Sequence, residues 1–424
     1  MRAGEVEQGS SHIEDPGKEA RSAQGIPVVP AFDGYRAIAI LGVLALHLLG
    51  ASGIPEDGSD GLLARLIWGT VGHAVDILFV VSGFVVFLPT VARNGSFGRV
   101  VPYAIRRAAR LLPAYWLALA LLLVLILTIN PPDFAAPGFG SIAAHALGIH
   151  EIADLIFGGV PAGFGVDSPM WTLSVEITFY VLLPLVAVAY SRHPFIGLAI
   201  AAVTTLLWIY AFKHSGDIAS LLGLELSGTE AFRMLMVSTL QFPSWAFSFG
   251  LGMTGAWVYV RILRSPGSPR RDLTIKLIQI LSLISLSIFA WMAGGYSDDA
   301  NVRLVAELAR LSPEIAIGFS GSLACFMVAT ALGPKLWRMP FENRTIRKLG
   351  DISYGIYLAH LVFMVYLGTL FDLPSDGSLT TLLLWILVVV PPSVLYGYLS
   401  ARFLEQPIRR WARQFGRTRP DGSN

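Results

Sequence analysis

Long runs of apolar residues constrain this sequence more than any other feature. Ten stretches of roughly 17 or more mostly apolar residues are each long enough to cross a bilayer as an α-helix. They cover approximately residues 31–50, 65–89, 111–130, 171–190, 194–212, 239–260, 273–294, 313–333, 351–371 and 379–401. Only 14% of the 424 residues are charged, against about 25% in an ordinary soluble domain. The sequence therefore predicts an all-α fold, a polytopic integral membrane helix bundle of about ten transmembrane helices.

The positions of Lys and Arg predict the orientation of these helices. Cytoplasmic loops of membrane proteins carry an excess of basic residues. With the N-terminus inside the cell, 26 of the 31 basic residues fall in segments predicted to be cytoplasmic. A missed or additional helix would remove this asymmetry. We therefore predict a multi-pass protein of the cytoplasmic membrane with an even number of spans and both termini cytoplasmic.

The polar ends of the chain flank one predicted transmembrane domain. Residues 1–29 are polar and rich in Gly, Ser and Glu, which is typical of a disordered tail. Residues 30–411 show no internal repeat and are predicted to form the single domain, and 412–424 form a second cytoplasmic tail. The only cysteine, Cys325, excludes a disulfide framework and a Cys-rich metal site.

Four ionisable residues lie inside predicted spans: His47, Asp76, Glu176 and His360. An ionisable group at this depth costs from about 3 kcal/mol upward on insertion scales, which makes each a functional candidate. The alternative is that each joins helices through an interhelical hydrogen bond, as polar residues commonly do in membrane bundles.

The first span places the candidate His47 on the same helical face as Arg36. Arg36 and His47 are eleven residues apart, almost three helical turns, so they lie on one face about 16 Å apart. That face would carry an anion-binding group at its cytoplasmic end and an acid or base in its outer half. Alternatively, Arg36 is a boundary residue paired with Asp33, which leaves His47 unexplained.

Glu176 is predicted to lie at a depth similar to that of His47. The fourth span begins with Trp171 and enters from the outer side, which places Glu176 about one and a half turns below the surface. A carboxylate beside an imidazole could act as a general-base pair. An incidental His–Glu hydrogen bond is the alternative.

Arginines cluster before the third span, at Arg106, Arg107 and Arg110. Their spacing places them on one helical face, and guanidinium groups match phosphate oxygens bidentately. A phosphate-bearing ligand is therefore one interpretation. The positive-inside bias and attraction to anionic lipids explain the same arginines without a ligand.

Familiar cofactor and metal motifs are absent from the sequence. It contains no Walker-type phosphate loop, no HExxH pair and no dinucleotide fingerprint, and no nucleophile elbow of the Gly-x-Ser-x-Gly type. We therefore predict no metal site and no bound cofactor.

Six ordered motifs between about Phe32 and Trp411 resemble those of the acyltransferase-3 membrane proteins, which O-acylate carbohydrates and related hydroxyl compounds. The motifs are Phe32-Asp33-Gly34-Tyr35-Arg36 with His47, Val75-Asp76 through Ser82-Gly83-Phe84, Arg107 and Arg110 with Pro113 and Tyr115, Trp171 with Leu173, Glu176, Tyr180 and Pro184, Ser353-Tyr354 through Tyr357 to His360, and Glu405-Gln406-Pro407. The sequence departs from the usual residues at Ala37, Ala74 and Thr172, all by small-for-small changes.

The resemblance implies transfer of an acyl group, with acetyl the expected one, from acyl-coenzyme A to a hydroxyl of a carbohydrate, glycan or glycoside. The donor would be a co-substrate on the cytoplasmic side, the partners would include the lipid bilayer and exclude nucleic acid, and 30–411 would be the acyltransferase domain. His47 would be the general base assisted by Glu176, or would carry a transient acyl group. Arg36, Arg107 and Arg110 would hold the donor, and the supporting residues would be Asp33, Asp76, Ser82, Trp171, Tyr357 and His360.

An alternative function stays open at the level of sequence. A proton-coupled secondary transporter or flippase would also use intramembrane His and acidic residues, although such folds usually contain repeats.

The outer segment 131–170 contains no Lys or Arg and carries Phe134, Phe139, His145 and His150. It is interpreted either as a lid or acceptor platform, or as an ordinary loop with a short amphipathic helix.

Overall fold

The computed structural model describes residues 28–54, 61–129, 136–294 and 312–415. All regular structure in these ranges is helical, and ten helical segments are long and apolar enough to cross a membrane. The predicted helical class and the number of spans are therefore confirmed. The predicted tails and Phe134 lie wholly or largely outside the described residues.

Seventeen α-helices, together with short 3-10 and π segments, make up the described part of the chain. In chain order they are α1 (Ala31–Ala51), α2 (Leu62–Gly72), α3 (Ala74–Ala92), α4 (Val100–Ile129), α5 (Phe139–Ala146), α6 (His150–Phe157), α7 (Trp171–Arg192), α8 (Pro194–Lys213), α9 (Ser215–Leu221), α10 (Gly228–Thr239), α11 (Phe242–Arg264), α12 (Pro269–Ala293), α13 (Pro313–Leu332), α14 (Lys335–Glu342), α15 (Arg344–Leu370), α16 (Leu379–Ser400) and α17 (Gln406–Ala412). Two 3-10 turns (Ala162–Gly165 and Ser168–Met170) precede α7, and a π-helical turn (Ala401–Glu405) joins α16 to α17.

Two predicted helix boundaries are wrong. The helix predicted over 65–89 is two helices, because His73 (φ −97°, ψ 14°) leaves the helical conformation between α2 and α3. The third span begins at Val100 instead of 111, so the arginines predicted to precede it lie within α4. With thirty residues, α4 is about 45 Å long, which exceeds the roughly 30 Å hydrocarbon core and lets its charged first turns extend beyond it.

Two other boundaries also differ from the prediction. The sixth span combines α10 and α11, and Pro243 lies in the first turn of α11, where its missing N–H costs no helical hydrogen bond. The ninth begins at Arg344, seven residues before the predicted start, because the Asn343 side chain accepts a hydrogen bond from Ile346 N at 3.0 Å and caps it.

Helix α3 lies at the centre of the bundle and packs closely on α11. A Cβ atom added to Gly83 would lie 2.3 Å from the Phe249 carbonyl oxygen, and one added to Gly252 would lie 2.2 Å from that of Val80. Only glycine permits this separation, and small residues at such contacts are the usual means of close helix packing in membranes. Since α3 also contacts α1, α7 and α13, its position relative to α11 determines where several other helices lie.

Asp76 ties α3 to two neighbouring helices. It is 2% exposed, and its Oδ1 accepts hydrogen bonds from Ser248 Oγ of α11 at 3.0 Å and Ser320 Oγ of α13 at 2.5 Å. These donors replace water around the carboxylate. The placement matches the structural alternative for Asp76, an interhelical hydrogen bond.

Substitution of the central glycines tests the importance of the α3–α11 contact. We expect Gly83→Ala and Gly252→Ala each to lower stability by about 1–3 kcal/mol, the usual cost of overpacking, because the added methyl group meets backbone atoms that cannot rotate away. The measurement is thermal unfolding of the purified protein in detergent. Gly321→Ala in α13 is the matched control, since a Cβ there meets nothing within 4 Å. Equal unfolding temperatures for all three variants would contradict this account of the packing.

Candidate active site

A cavity of about 120 Å³ opens between α1, α3, α4, α7, α15 and the chain end after α16. Its wall is unusually rich in ionisable side chains for the interior of an apolar bundle. The polar residues that line it are Asp33, Arg36, Ser82, Arg107, Arg110, Thr172, Glu176, Tyr180, Asp351, Ser353, Tyr354, Tyr357, Glu405 and Arg409. Since ionisable side chains at this depth are costly and usually functional, we take this cavity as the candidate active site.

One end of the cavity carries four arginines, and we call it the arginine end: Arg36, Arg107, Arg110 and Arg409. Arg36 donates to Asp33 Oδ1 at 3.0 Å. Within the described ranges, Arg107, Arg110 and Arg409 form no ion pair with a carboxylate. The buried Nε of Arg107 has no hydrogen-bond partner, and its guanidinium lies 5.6 Å from the centre of the Tyr180 ring. Arg107, Arg110 and Arg409 can therefore accept an anionic group without first leaving a carboxylate of the described residues.

Glu176 occupies the middle of the cavity and is held by two hydroxyl groups. Its Oε1 accepts a hydrogen bond from Ser82 Oγ at 2.8 Å and a short one from Tyr180 Oη. Glu176 and Tyr180 are four residues apart on α7, so they face the cavity together. Tyr103 Oη donates to the Tyr180 carbonyl oxygen at 3.1 Å and braces this part of α7 against α4.

The end of the cavity opposite the arginines is closed by Tyr357 and Thr172. Tyr357 Oη donates to the Pro169 carbonyl oxygen at 2.7 Å, and Thr172 Oγ1 lies 2.7 Å from Tyr357 Oη. These bonds connect α15 to the start of α7. Trp171 does not line the cavity, because its ring packs against Phe79 and Trp245 instead.

His47 and His360 form a pair behind this closed end. His360 follows Tyr357 by one turn of α15, and the two imidazole rings lie 5.1 Å apart. His47 Nδ1 is 2.8 Å from the Val43 carbonyl oxygen, and His360 Nδ1 is 2.8 Å from that of Tyr357. His360 Nε2 lies 3.3 Å from His47 Nδ1.

These contacts assign the tautomers of both rings. A carbonyl oxygen can only accept a hydrogen bond, so each Nδ1 carries a hydrogen, and His360 Nε2 must accept. The Nδ1–H of His47 is then shared between Val43 and His360. His47 Nε2 makes no hydrogen bond within the part of the chain that the structure describes, and it is left with a free lone pair.

The first span carries the arginine and the histidine on one face, as its periodicity predicts. The face of α1 with Arg36 and Ile40 lines the cavity and continues through Val43 to His47. His47 lies two turns beyond Ile40, about 10 Å along the axis. It is half-buried and does not itself line the cavity.

The expected pairing of His47 with Glu176 is corrected by the structure. The hydrogen bonds of Glu176 go to Ser82 and Tyr180, and those of His47 go to Val43 and His360. Glu176 lies close enough to Arg36 to act on it electrostatically, so its carboxylate is nearer the arginine end than the matching-depth argument implied.

Most predicted site residues are brought together here, and some lining residues were not predicted. Asp33, Arg36, Ser82, Arg107, Arg110, Glu176 and Tyr357 line the cavity, whereas Asp76, Trp171 and the His47–His360 pair lie outside its wall. The sequence prediction omitted Thr172, Tyr354, Glu405 and Arg409. Glu405 was part of a recognised motif and Arg409 follows it by one turn, so their spacing was an available signal.

The connecting segment 136–170 contains two short helices, and it contacts the closed end of the cavity through the Pro169 carbonyl oxygen. Tyr115 Oη donates to the His145 carbonyl oxygen at 2.8 Å. The ring of His145 stacks on that of His150 at 4.3 Å, and the carboxyl groups of Glu151 and Asp167 are also buried. This part of the segment therefore agrees with the second interpretation, in that it contains short helices. Its histidines are buried in the protein interior and do not face a ligand.

Burial removes charge from this group of residues. It raises the pKa of Glu151 to about 8, with nearby Asp154 adding to the effect, and it raises the pKa of Asp167 well above its usual range. Burial and the neighbouring His145 lower the pKa of His150 to about 3. Near neutral pH these side chains are therefore mostly uncharged, which lowers the free-energy cost of burying them.

Comparison with known proteins places the chain in a family. The model of the acyltransferase-3 family, described as an acyltransferase domain, matches residues 29–402. The peptidoglycan O-acetyltransferase of Listeria monocytogenes is 24% identical over 90% of this chain and 56% of its own length. Nodulation protein 10 of Rhizobium leguminosarum bv. viciae is 26% identical over 89% of this chain and 92% of its own length.

The family match covers nearly all of the described helices, whereas the Listeria relative is longer. The chain spans only about half the length of that relative, and no solved structure is significantly similar to it. Together with the ten apolar helices, the match makes this a multi-pass membrane protein. The chain belongs to the acyltransferase-3 family of membrane-bound O-acyltransferases.

Proposed function

We propose that this protein transfers an acetyl group from acetyl-coenzyme A to a hydroxyl of a glycan or glycoside, with His47 as the general base. The observation that carries the proposal is a cavity lined by three arginines that pair with no carboxylate among the described residues, with the His47–His360 pair behind its closed end. Anion-binding arginines at one end of the cavity and a basic histidine pair behind its other end suit a donor whose phosphates lie far from its reacting thioester.

The arginine end is proposed to hold the phosphates of the donor on the cytoplasmic side. Arg107 and Arg110 offer guanidinium groups that bind phosphate bidentately, and Arg36 adds charge while paired with Asp33. The distribution of basic residues supports this orientation, because 26 of 31 lie in the segments assigned to the cytoplasm when the N-terminus is inside.

The chemical step is assigned to His47 Nε2. This nitrogen removes the proton from the acceptor hydroxyl, whose oxygen attacks the thioester carbonyl carbon. The carbon–sulfur bond then breaks, and the coenzyme A thiolate takes the proton from the His47 imidazolium. A general base supplies about 10²–10⁴-fold of rate, so the rest must come from positioning of the two substrates.

His360 and Val43 are proposed to position the base. Together they hold the hydrogen of His47 on Nδ1 and thereby leave Nε2 unprotonated. Glu176 is proposed to act within the cavity through its contacts with Ser82 and Tyr180, where its charge lies among the arginines, instead of by direct contact with His47.

The acceptor assignment rests on the names of relatives. The Listeria relative is named for the acetylation of peptidoglycan, a glycan. A hydroxyl of a carbohydrate is therefore the acceptor class proposed for this chain.

Removal of the base is the first test. We expect His47→Ala to lower coenzyme A release from acetyl-coenzyme A by about 10²–10⁴-fold, the contribution of a general base, in a variant that elutes as a folded protein in detergent. His214→Ala is the matched control, because His214 is partly exposed just after α8 and pairs with Asp217. Equal release by His47→Ala and wild type would refute His47 as the base. Absence of release and of thioester binding in wild type would favour the transporter alternative.

A donor without its phosphates tests the arginine end. We expect Arg110→Gln to raise the KM for acetyl-coenzyme A by about 10–100-fold, since hydrogen bonds to charged groups contribute about 1.5–3 kcal/mol. The KM for S-acetylpantetheine should not change, because that donor carries no phosphate. Arg270→Gln, an exposed arginine outside the cavity, is the control. A loss of the same size with both donors would contradict the phosphate role.

The histidine pair predicts a change in kcat without one in KM. We expect His360→Ala to lower kcat by about tenfold or more, as expected for loss of a single hydrogen bond that orients the base, because the Nδ1–H of His47 loses one acceptor. His360→Asn should recover part of the rate, since its amide oxygen can accept the same hydrogen. Steady-state kinetics with both substrates separate the parameters. A higher KM with unchanged kcat would show that His360 only shapes the site.

A further inference from the structure

A second cleft, of about 570 Å³, lies where α3, α7 and α11 end, and it is lined by arginines without acidic residues. Its basic residues are Arg192, Arg261 and Arg264. It shares no lining residue with the candidate active site. Three like charges repel one another, so the arrangement is stabilised when an anion enters the cleft.

Two of the guanidinium groups are held in place by uncharged partners. Arg264 donates to Asn94 Oδ1 and to the Ala92 carbonyl oxygen, both at 2.7 Å. The guanidinium of Arg261 lies 4.9 Å from the centre of the Trp257 ring. Because these partners are neutral, they orient the arginines and leave their positive charge available to a ligand.

An apolar stripe on α8 continues from this cleft. It consists of Phe195, Ile196, Ala199, Ile200, Val203, Thr204 and Leu207, and its large side chains are 53–64% exposed. Phe195 at the start of the stripe packs edge-on against Trp257 of the cleft, with ring centres 5.8 Å apart. The twelve helical steps from Phe195 to Leu207 rise about 18 Å, close to the roughly 15 Å depth of one hydrocarbon leaflet.

We propose that the cleft and the stripe together form a binding site for an anionic phospholipid. The phosphate-containing headgroup would contact Arg192, Arg261 and Arg264, and one acyl chain would lie along α8. A soluble phosphate compound would satisfy the arginines equally well, but it would leave the apolar stripe unused. The stripe and the cleft are continuous through the Phe195–Trp257 contact, and this continuity favours a ligand with both a charged head and a hydrocarbon chain.

Native mass spectrometry of the delipidated protein in detergent tests the site. The ligands are phosphatidylglycerol and phosphatidylcholine with identical chains. We expect wild type to bind phosphatidylglycerol at least tenfold more tightly. The double variant Arg192→Gln with Arg261→Gln should bind it about 30-fold more weakly than wild type, since each arginine near a bilayer contributes about 1 kcal/mol toward an anionic lipid. Arg264 is retained because its hydrogen bonds also join α3 to α11.

Three results would overturn the proposal. The first is a loss of the same size in Arg270→Gln, which removes one charge from the same end of the bundle outside the cleft. The second is displacement of phosphatidylglycerol by millimolar inorganic phosphate or coenzyme A, which would make the cleft a site for soluble anions. The third is a dimer that forms through α8 and excludes lipid. Because binding is measured without substrate turnover, the outcome is independent of whether the acyltransferase assignment holds.

Discussion

A charge inside a membrane must be neutralised or hydrogen-bonded, since burial of an isolated ion costs far more than any one packing contact gains. This requirement explains how the polar residues of the bundle are arranged. Asp76 accepts hydrogen bonds from two serine hydroxyls, and Arg36 forms an ion pair with Asp33. Glu176 accepts hydrogen bonds from a serine and a tyrosine. Arg107, Arg110 and Arg409, which pair with no carboxylate among the described residues, line the cavity, and this cavity is continuous with the face of α1 that ends at His47.

Hydropathy and helical periodicity predicted the features that depend on a single segment. Apolar run length gave the ten spans, and the eleven-residue separation gave the common face of Arg36 and His47. The break at His73 and the early start of α4 were not predicted, because apolar composition continues across the first and charged residues obscure the second. Local backbone geometry and helix capping decide such boundaries, and neither alters average hydropathy.

Contacts between distant segments could not be obtained from one sequence. Equal depth in the membrane suggested that Glu176 meets His47, yet depth leaves the rotation of each helix undetermined, and α7 turns Glu176 toward Ser82. The partner of His47 is His360, 313 residues away along the chain. Arg409 likewise lines the cavity beside residues that are far from it in the sequence. The family motifs identified most of these residues, whereas their pairing depends on helix packing.

Because of the π-helical turn over Ala401–Glu405, the geometry of the site depends on the number of residues in this stretch as well as on their types. A π turn holds one residue more than an α turn, and each residue rotates a helix by about 100°. Glu405, held by Ser400 Oγ at 3.0 Å, and Arg409 therefore face the cavity because of that extra residue. Loss of one amino acid here would preserve every side chain of the site and still turn Arg409 toward a different neighbour. In this stretch of the chain, insertions and deletions would alter the site more than many substitutions would.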